Sequence, residues 1–277
     1  MLSQPDRPAG RRRQLTPPPV AEAARELGLP LVQPERVIEA LPALREIAPA
    51  AVAICAYGQL LPQELLDVCP WLNLHPSLLP RWRGAAPIER ALLAGDDGTG
   101  VAIMATVLEL DAGPIASVAP IALAPDADAG DVEVEALRLG VPALVRAIEA
   151  AAAGRLETEA QAVTGVTYAA KLGRDDRLID PLTHGVRATA DRVRALRPRI
   201  GAQLALDGDA CAIWRVAPCD EALAPGEVRA DEGRLRVGVA DGSVEIVELQ
   251  APGGRVLPAA DWLRGRRTPP SRATRPA

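Results

Sequence analysis

Residues 71–75 read Trp-Leu-Asn-Leu-His, an alternation of apolar and polar side chains that commits them to an extended strand. Pro76 ends the strand, because proline has no N–H to give to a sheet ladder. Successive strand side chains point to opposite faces, so Leu72 and Leu74 share one face and Asn73 and His75 the other. An amide and an imidazole therefore emerge side by side at a strand's carboxyl end. Residues 77–84 then read as a loop before a helical pattern at 86–94. Open α/β sheets bind their ligands at such strand ends.

Around this strand the periodicity predicts helices at 20–27, 34–47, 63–68 and 131–153, and strands at 31–32, 51–57, 100–108 and 115–123. The apolar 51–57 run reads as a fully buried strand. In the long helix, Val134, Leu137, Val141, Leu144, Val145 and Ile148 are expected to face the sheet, with a kink at Pro142 and a stop at Gly154. Strands alternating with helices imply an α/β domain built on a parallel sheet. A polar stretch follows, then a helical segment at 183–196 and hairpin signals at Asp207-Gly208, Glu232-Gly233 and Asp241-Gly242, the pattern of a small β-barrel. The expected boundaries are 1–156, a linker at 157–176, and 177–277. Arg264, Arg266, Arg267, Arg272 and Arg275 read as a frayed basic tail.

With 277 residues, 48% of them hydrophobic, the chain can fill the cores of one large or two ordinary domains. It has no Phe, so Leu, Val, Ile and Ala must do the packing. A net charge of −5 argues against a generic nucleic-acid coat and leaves room only for focal contacts such as the Arg11-Arg12-Arg13 run, whose loop otherwise reads as a solvated tail. Cys55, Cys69, Cys211 and Cys219 show no paired metal spacing and read as thiols in a reducing compartment. The N-terminus lacks the apolar core of a signal peptide, so a soluble cytoplasmic protein is expected, with no membrane partner.

The two histidines, His75 and His184, are the candidates for a base that titrates near neutrality. His184, in a helical pattern among arginines, reads as surface. His75 needs a partner to orient its ring, and the 100–108 run delivers Glu109 and Asp111 at its end. Asn73, His75 and a carboxylate could thus meet at one edge of the sheet. Taken alone, this geometry fits a hydrogen-bonded structural histidine better than a catalytic one.

The stretch Asn73-Leu-His75-Pro-Ser77-Leu78-Leu79-Pro80-Arg81-Trp82-Arg83-Gly84-Ala-Ala-Pro87-Ile88 closely resembles the signature of the methionyl-tRNA formyltransferases, and Leu110-Asp111-Ala112-Gly113 resembles that family's second catalytic segment. The resemblance extends to Gln4-Pro5-Asp6-Arg7-Pro8-Ala9-Gly10-Arg11, to Ala56-Tyr57-Gly58 and to Val166-Thr167-Tyr168-Ala169-Ala170-Lys171-Leu172. It weakens toward the C-terminus, where Arg197-Pro198-Arg199 stands in place of an aromatic-containing segment.

The resemblance implies a Rossmann-like formyltransferase domain followed by an OB-like domain that contacts tRNA. It implies formyl transfer from 10-formyltetrahydrofolate to the α-amine of methionyl initiator tRNA, without a metal and without DNA. Carried over by position, Asn73, His75 and Asp111 are catalytic, Ser77, Leu78, Leu79 and Pro80 form the folate-receiving loop, and Arg11, with Arg12 and Arg13, contacts tRNA. Ser77 to Pro80 would otherwise be a plain turn, and Arg81 to Arg83 a stacked surface cluster. Family members begin with a strand, a Gly-Thr-Pro loop, a helix and a second strand before the point at which this sequence starts. A misplaced start or a truncation is therefore expected. An inactive tRNA-binding remnant and a transferase for a sugar-nucleotide amine are the alternatives, and a monomer is expected.

Overall fold

A computed structural model of the chain describes residues 1–9 and 13–277. In order come β1 (Arg7–Ala9), β2 (Gln14–Thr16), α1 (Pro19–Glu26), α2 (Leu41–Ile47), β3 (Val52–Ile54), α3 (Gln63–Leu66), β4 (Trp71–His75), β5 (Arg83–Gly84), α4 (Pro87–Leu93), β6 (Gly98–Ala105), β7 (Ile115–Ala122) and α5 (Ala129–Ala152). Then follow β8 (Tyr168–Ala169), α6 (Val186–Ala195), β9 (Ala202–Leu206), β10 (Asp209–Cys219), β11 (Val228–Asp231), β12 (Arg234–Val239), β13 (Gly242–Gln250), β14 (Val256–Pro258), α7 (Ala259–Arg264) and β15 (Ala273–Thr274). The chain forms two compact units, one of Met1–His75, Val101–Ala119 and Arg138–Val166, the other of Pro76–Gly100, Pro120–Leu137 and Thr167–Ala277.

The first unit is organised by a four-stranded sheet in the order β3-β4-β6-β7. β3 and β4 are parallel, as strand-helix alternation predicts, but β4 and β6 are antiparallel, so the sheet is mixed. β3 is shorter than the apolar run that predicts it, and Ala53 is exposed, because this strand stands at the end of the sheet and is covered on fewer sides than a central one. Residues 34–47 form a 3-10 turn at Val37–Ala40 and then α2 instead of one helix. Pro42 lies at the start of α2, where its missing N–H costs no helical bond. The predicted strand at 31–32 is reduced to a parallel bridge between Leu2 and Val32.

α5 continues through Pro142 as a helix of 24 residues. Its inward face is only partly the predicted one: Leu144 is buried as expected and Ile148 half-buried, but Val132, Ala136, Gly140 and Ala147 are buried beside them, while Val134, Leu137, Val141 and Val145 are exposed. Close approach decides this. A Cβ on Gly140 would lie 2.8 Å from Leu74 Cδ1 and 2.8 Å from Val101 Cγ2, so the helix meets the sheet closely at a position that leaves no room for a side chain. The helix thereby covers the Leu74 face of β4, opposite the face that carries Asn73 and His75.

The second unit contains an antiparallel sheet ordered β11-β12-β13-β10-β9-β15, with β14 added to β13. Residues beside its two end strands meet, Glu227 bridging Arg272, so the sheet nearly closes into a barrel around Leu206, Ile213, Leu235, Ile246 and Leu249. Asp207-Gly208 and Glu232-Gly233 are two-residue hairpin turns with positive φ at both positions. The third hairpin turns one residue earlier than predicted, at Ala240-Asp241, and Gly242 opens β13. Asp241 Oδ1 instead accepts the backbone N–H of Val186 in the first turn of α6. The C-terminal arginines are not a frayed tail: β15 pairs with β9, Arg266 lies 4.5 Å over the Trp262 ring, and Arg275 meets Asp175 at 2.7 Å. Ordered strand and side-chain partners hold this end in place.

Candidate functional site

β4 carries the polar pair, and the long-range pairing fixes where it stands. Asn73 pairs with Ile54 of β3 on one side and with Met104 of β6 on the other, and His75 stands opposite Ala102. His75 is 3% exposed, whereas Asn73 is half-buried. The imidazole is therefore enclosed, with the amide nearer solvent on the same strand face.

Asp111 is the carboxylate that reaches His75: its Oδ2 lies 3.7 Å from Nδ1, with 4% and 14% of the His75 and Asp111 side chains exposed. Its route differs from the one expected. Because β6 runs antiparallel to β4, its carboxyl end pairs with Leu72, at the far end of β4 from His75. The carboxylate is delivered by the return loop 106–113, where Asp111 adopts φ 47° and Glu109 is exposed. At 3.7 Å the contact is an electrostatic pairing rather than a hydrogen bond.

The loop is held firmly. Ala105 N–H donates to Pro114 O at 2.9 Å, and a Cβ on Gly113 would stand 1.6 Å from Ala105 O, so a side chain there is excluded by backbone. Gln161, within the stretch read as a linker, donates Nε2–H to both Asp111 O and Gly113 O at 2.8 Å. Sequence reasoning missed Gln161 because nothing local marks it, and the contact spans 50 residues.

Since β3 and β4 are parallel, the segment after β3 emerges at the same sheet end as His75. There Tyr57-Gly58-Gln59 border a groove of about 620 Å³, lined also by Gln4, Arg7, Thr16, Pro17 and Pro18. Gln4 Nε2 donates to Tyr57 O at 2.8 Å, and Gln59 Oε1 accepts Val37 N–H at 2.8 Å, which ties the N-terminal segment to this strand end. The Tyr57 hydroxyl is buried without a partner among the described residues, and burial raises its pKa. Arg13 is exposed immediately before β2, and Arg11 and Arg12 lie outside the described residues.

In the second unit, Ser77 is buried and donates Oγ–H to Arg81 O at 2.7 Å, and Leu79 is buried while Leu78 and Pro80 are half-buried. Arg81 forks onto Asp96 through Nε at 2.9 Å and Nη2 at 2.6 Å, stacks 4.6 Å over Trp82, and shares Asp96 with Trp82 Nε1 at 2.8 Å. Burial works against the Asp96 charge, but the donors from Arg81 and Trp82 prevail and hold its carboxyl below the usual range. The pair is thus a lock on this loop, the stacked cluster that the sequence also allowed. His184, expected at the surface of a helix, is half-buried just before α6, where Asp180 N–H donates to its Nδ1 at 3.0 Å and Arg192 Nη1 lies 3.1 Å from its Nε2. Among the described residues no group of three or more His, Cys, Asp or Glu is placed to hold a metal ion, and no helix is long and apolar enough to cross a membrane.

Comparison with known proteins gives two matches, one after the other along the chain. Residues 1–148 match the family model described as formyl transferase, and residues 171–267 the model of the formyl transferase C-terminal domain. The chain is 42% identical over 276 residues to the methionyl-tRNA formyltransferase of Halorhodospira halophila, covering 98% of this chain and 89% of the relative. It is 39% identical to that of Thermobifida fusca, covering 96% and 88%. The fold is shared with HypX from Aquifex aeolicus (TM-score 0.68, 20% identity, 86% of this chain and 43% of the other). It is also shared with WlaRD, a sugar 3N-formyl transferase (TM-score 0.64, 14% identity, 84% and 81%). The chain belongs to the formyl transferase family, and its near relatives by sequence are the methionyl-tRNA formyltransferases.

Proposed function

We propose that the chain transfers the formyl group of 10-formyltetrahydrofolate to the α-amine of methionyl initiator tRNA, giving formylmethionyl-tRNA for translation initiation. The observation that carries this reading is the contact of buried His75 with Asp111, on the strand face shared with Asn73. The names of relatives about 40% identical over nearly the whole chain support the acceptor.

The chemistry suits these side chains. An α-amino group titrates at about 7.7–8.0 in model peptides, so much of it is protonated and non-nucleophilic near neutrality. His75 accepts that proton as the amine attacks the formyl carbon, and the imidazolium returns a proton to the departing tetrahydrofolate nitrogen as the donor's formyl C–N bond breaks. Asp111 holds the ring's tautomer and stabilises the imidazolium that forms. Asn73, through its amide N–H, donates to the formyl oxygen as negative charge develops there, a contribution of roughly 3 kcal/mol in comparable acyl transfers. An amide donor and a base two residues apart on one strand face fit an acyl carbon between them. The loop Ser77, Leu78, Leu79 and Pro80 receives the folate, and the groove beside Tyr57, together with Arg11, Arg12 and Arg13, serves the tRNA side.

The same reading makes the protein a cytoplasmic monomer, because charged tRNA is found there and one chain supplies all three catalytic side chains. It also divides the chain into a catalytic domain at 1–156, a linker at 157–176 and a tRNA-contacting domain at 177–277. The purified chain is to be incubated with methionyl initiator tRNA and 10-formyltetrahydrofolate, with a sugar-nucleotide amine as the competing acceptor. Formylmethionyl-tRNA should form with the wild type and fall by about 10²–10⁴-fold in His75→Ala. Absence of product from the wild type, or preference for the sugar amine, would overturn the reading.

A further inference from the structure

We infer that Gln161 is a positioning residue for the His75–Asp111 pair: it fixes, through two backbone carbonyls, the loop that brings the Asp111 carboxylate to the imidazole. This rests on the function proposed above, and it names a part of the machinery that lies far from the motif in sequence. Three observations carry it.

Asp111 is a non-glycine residue at φ 47°. Left-handed backbone crowds the Cβ of an L-residue against its following carbonyl oxygen, so the loop must be held from outside to keep it. The holding contact is also matched in number. A glutamine amide has two N–H donors, and Gln161 Nε2 meets two acceptors, Asp111 O and Gly113 O, each at 2.8 Å. Finally, Gln161 is itself anchored. Two residues upstream, Ile115 N–H donates to Glu159 O at 2.7 Å and Glu159 N–H to Ile115 O at 2.9 Å, an antiparallel bridge that registers this strand of chain against the start of β7. The glutamine side chain is half-buried, so its hydrogen bonds are partly shielded from competing water. Gly113 contributes the complementary constraint, because its closeness to Ala105 O lets the loop fold back at a single place. The clamp touches neither the ring nor the carboxylate in these contacts. It sets the backbone from which the carboxylate reaches 3.7 Å from Nδ1.

Two variants test this, Gln161→Ala, which deletes the clamp, and Gln161→Glu, which keeps its size but turns donors into acceptors facing two carbonyls. The first readout needs no turnover. The chain has two histidines, so ring-labelled histidine gives two NMR signals, assigned with His75→Gln. In both variants the His75 signal should move in the direction that Asp111→Asn moves it, with the His184 signal unchanged. The second readout is kinetic. In Gln161→Ala, kcat should fall about 10–100-fold with KM for the charged tRNA changed less than threefold, and in an Asp111→Asn background the same substitution should cost less than threefold, as expected for residues acting as a unit. Unmoved His75 signals in folded variants, or an equal loss with and without the Asp111 carboxylate, would overturn the inference. A wild type that makes no product while its His75 signal responds to Gln161→Ala would instead count against the proposed reaction and leave the clamp supported.

Discussion

His184 and His75 show how one residue type takes two roles according to what surrounds it. His75 stands at a strand end facing a carboxylate, whereas His184 accepts a backbone N–H and lies against the cationic Arg192. Burial first, and Arg192 second, hold the His184 imidazole below its ordinary pKa. The sign follows from linkage: the unfolded chain takes up a proton near pH 6.5 that the native site refuses, so this site's contribution to stability is present above that pH and is lost as pH falls from there through the lower native pKa. His184→Gln keeps an acceptor for Asp180 without the titration. Urea midpoints measured at pH 7.5 and 5.5 should drop further in the wild type than in His184→Gln, and equal drops would remove His184 from the acid sensitivity.

Among the elements, α5 packs closely on β4, against the face opposite Asn73 and His75. Gly140 in the middle of α5 would ordinarily gain up to about 1 kcal/mol of helix propensity on replacement by alanine. Here the new methyl would press on Leu74 and Val101 at 2.8 Å, both of them buried. Overpacking of a filled core costs typically about 1–3 kcal/mol, so the loss outweighs the gain. Gly140→Ala should lower the melting temperature by a few degrees, about 2–4 °C per kcal/mol for a chain of this class. The displaced Leu74 also borders Asn73 and His75 in β4, so activity should fall by more than folding alone accounts for. A melting temperature at or above that of the wild type would show that the helix can move off the sheet at no cost.

For the whole molecule, the division into units bears on the proposed linker. The last of the points at which the chain passes from one compact unit to the other falls at Val166 and Thr167, inside 157–176. Either side of it the chain is engaged, Glu159 with Ile115 and Tyr168 with Arg83, whereas residues 162–165 are exposed and Val163 is 93% so. Brief digestion with a protease of broad specificity should nick first within 162–165, because cleavage needs several residues of accessible, locally unpaired backbone. A first cut at the hairpin turns Asp207-Gly208 or Glu232-Gly233 would move the boundary into the barrel.

What the sequence determined by itself is what local geometry encodes. Alternation placed Asn73 and His75 on one face, Pro76 ended the strand, and the Asp-Gly and Glu-Gly pairs at 207–208 and 232–233 turned two hairpins, since each depends on the backbone preferences of adjacent residues. Resemblance in the 73–88 stretch pointed to the family that the wider comparison establishes. Tertiary structure alone decided the rest. It set the direction of β6 against β4, and hence the delivery of Asp111 by a loop rather than a strand end. It brought α5 onto the sheet at Gly140 and so turned Val134, Leu137, Val141 and Val145 outward, because the distance between helix and sheet is fixed by both partners together. It also brought Gln161 to Asp111 across 50 residues, a contact that no periodicity encodes because it depends on how the intervening chain folds back.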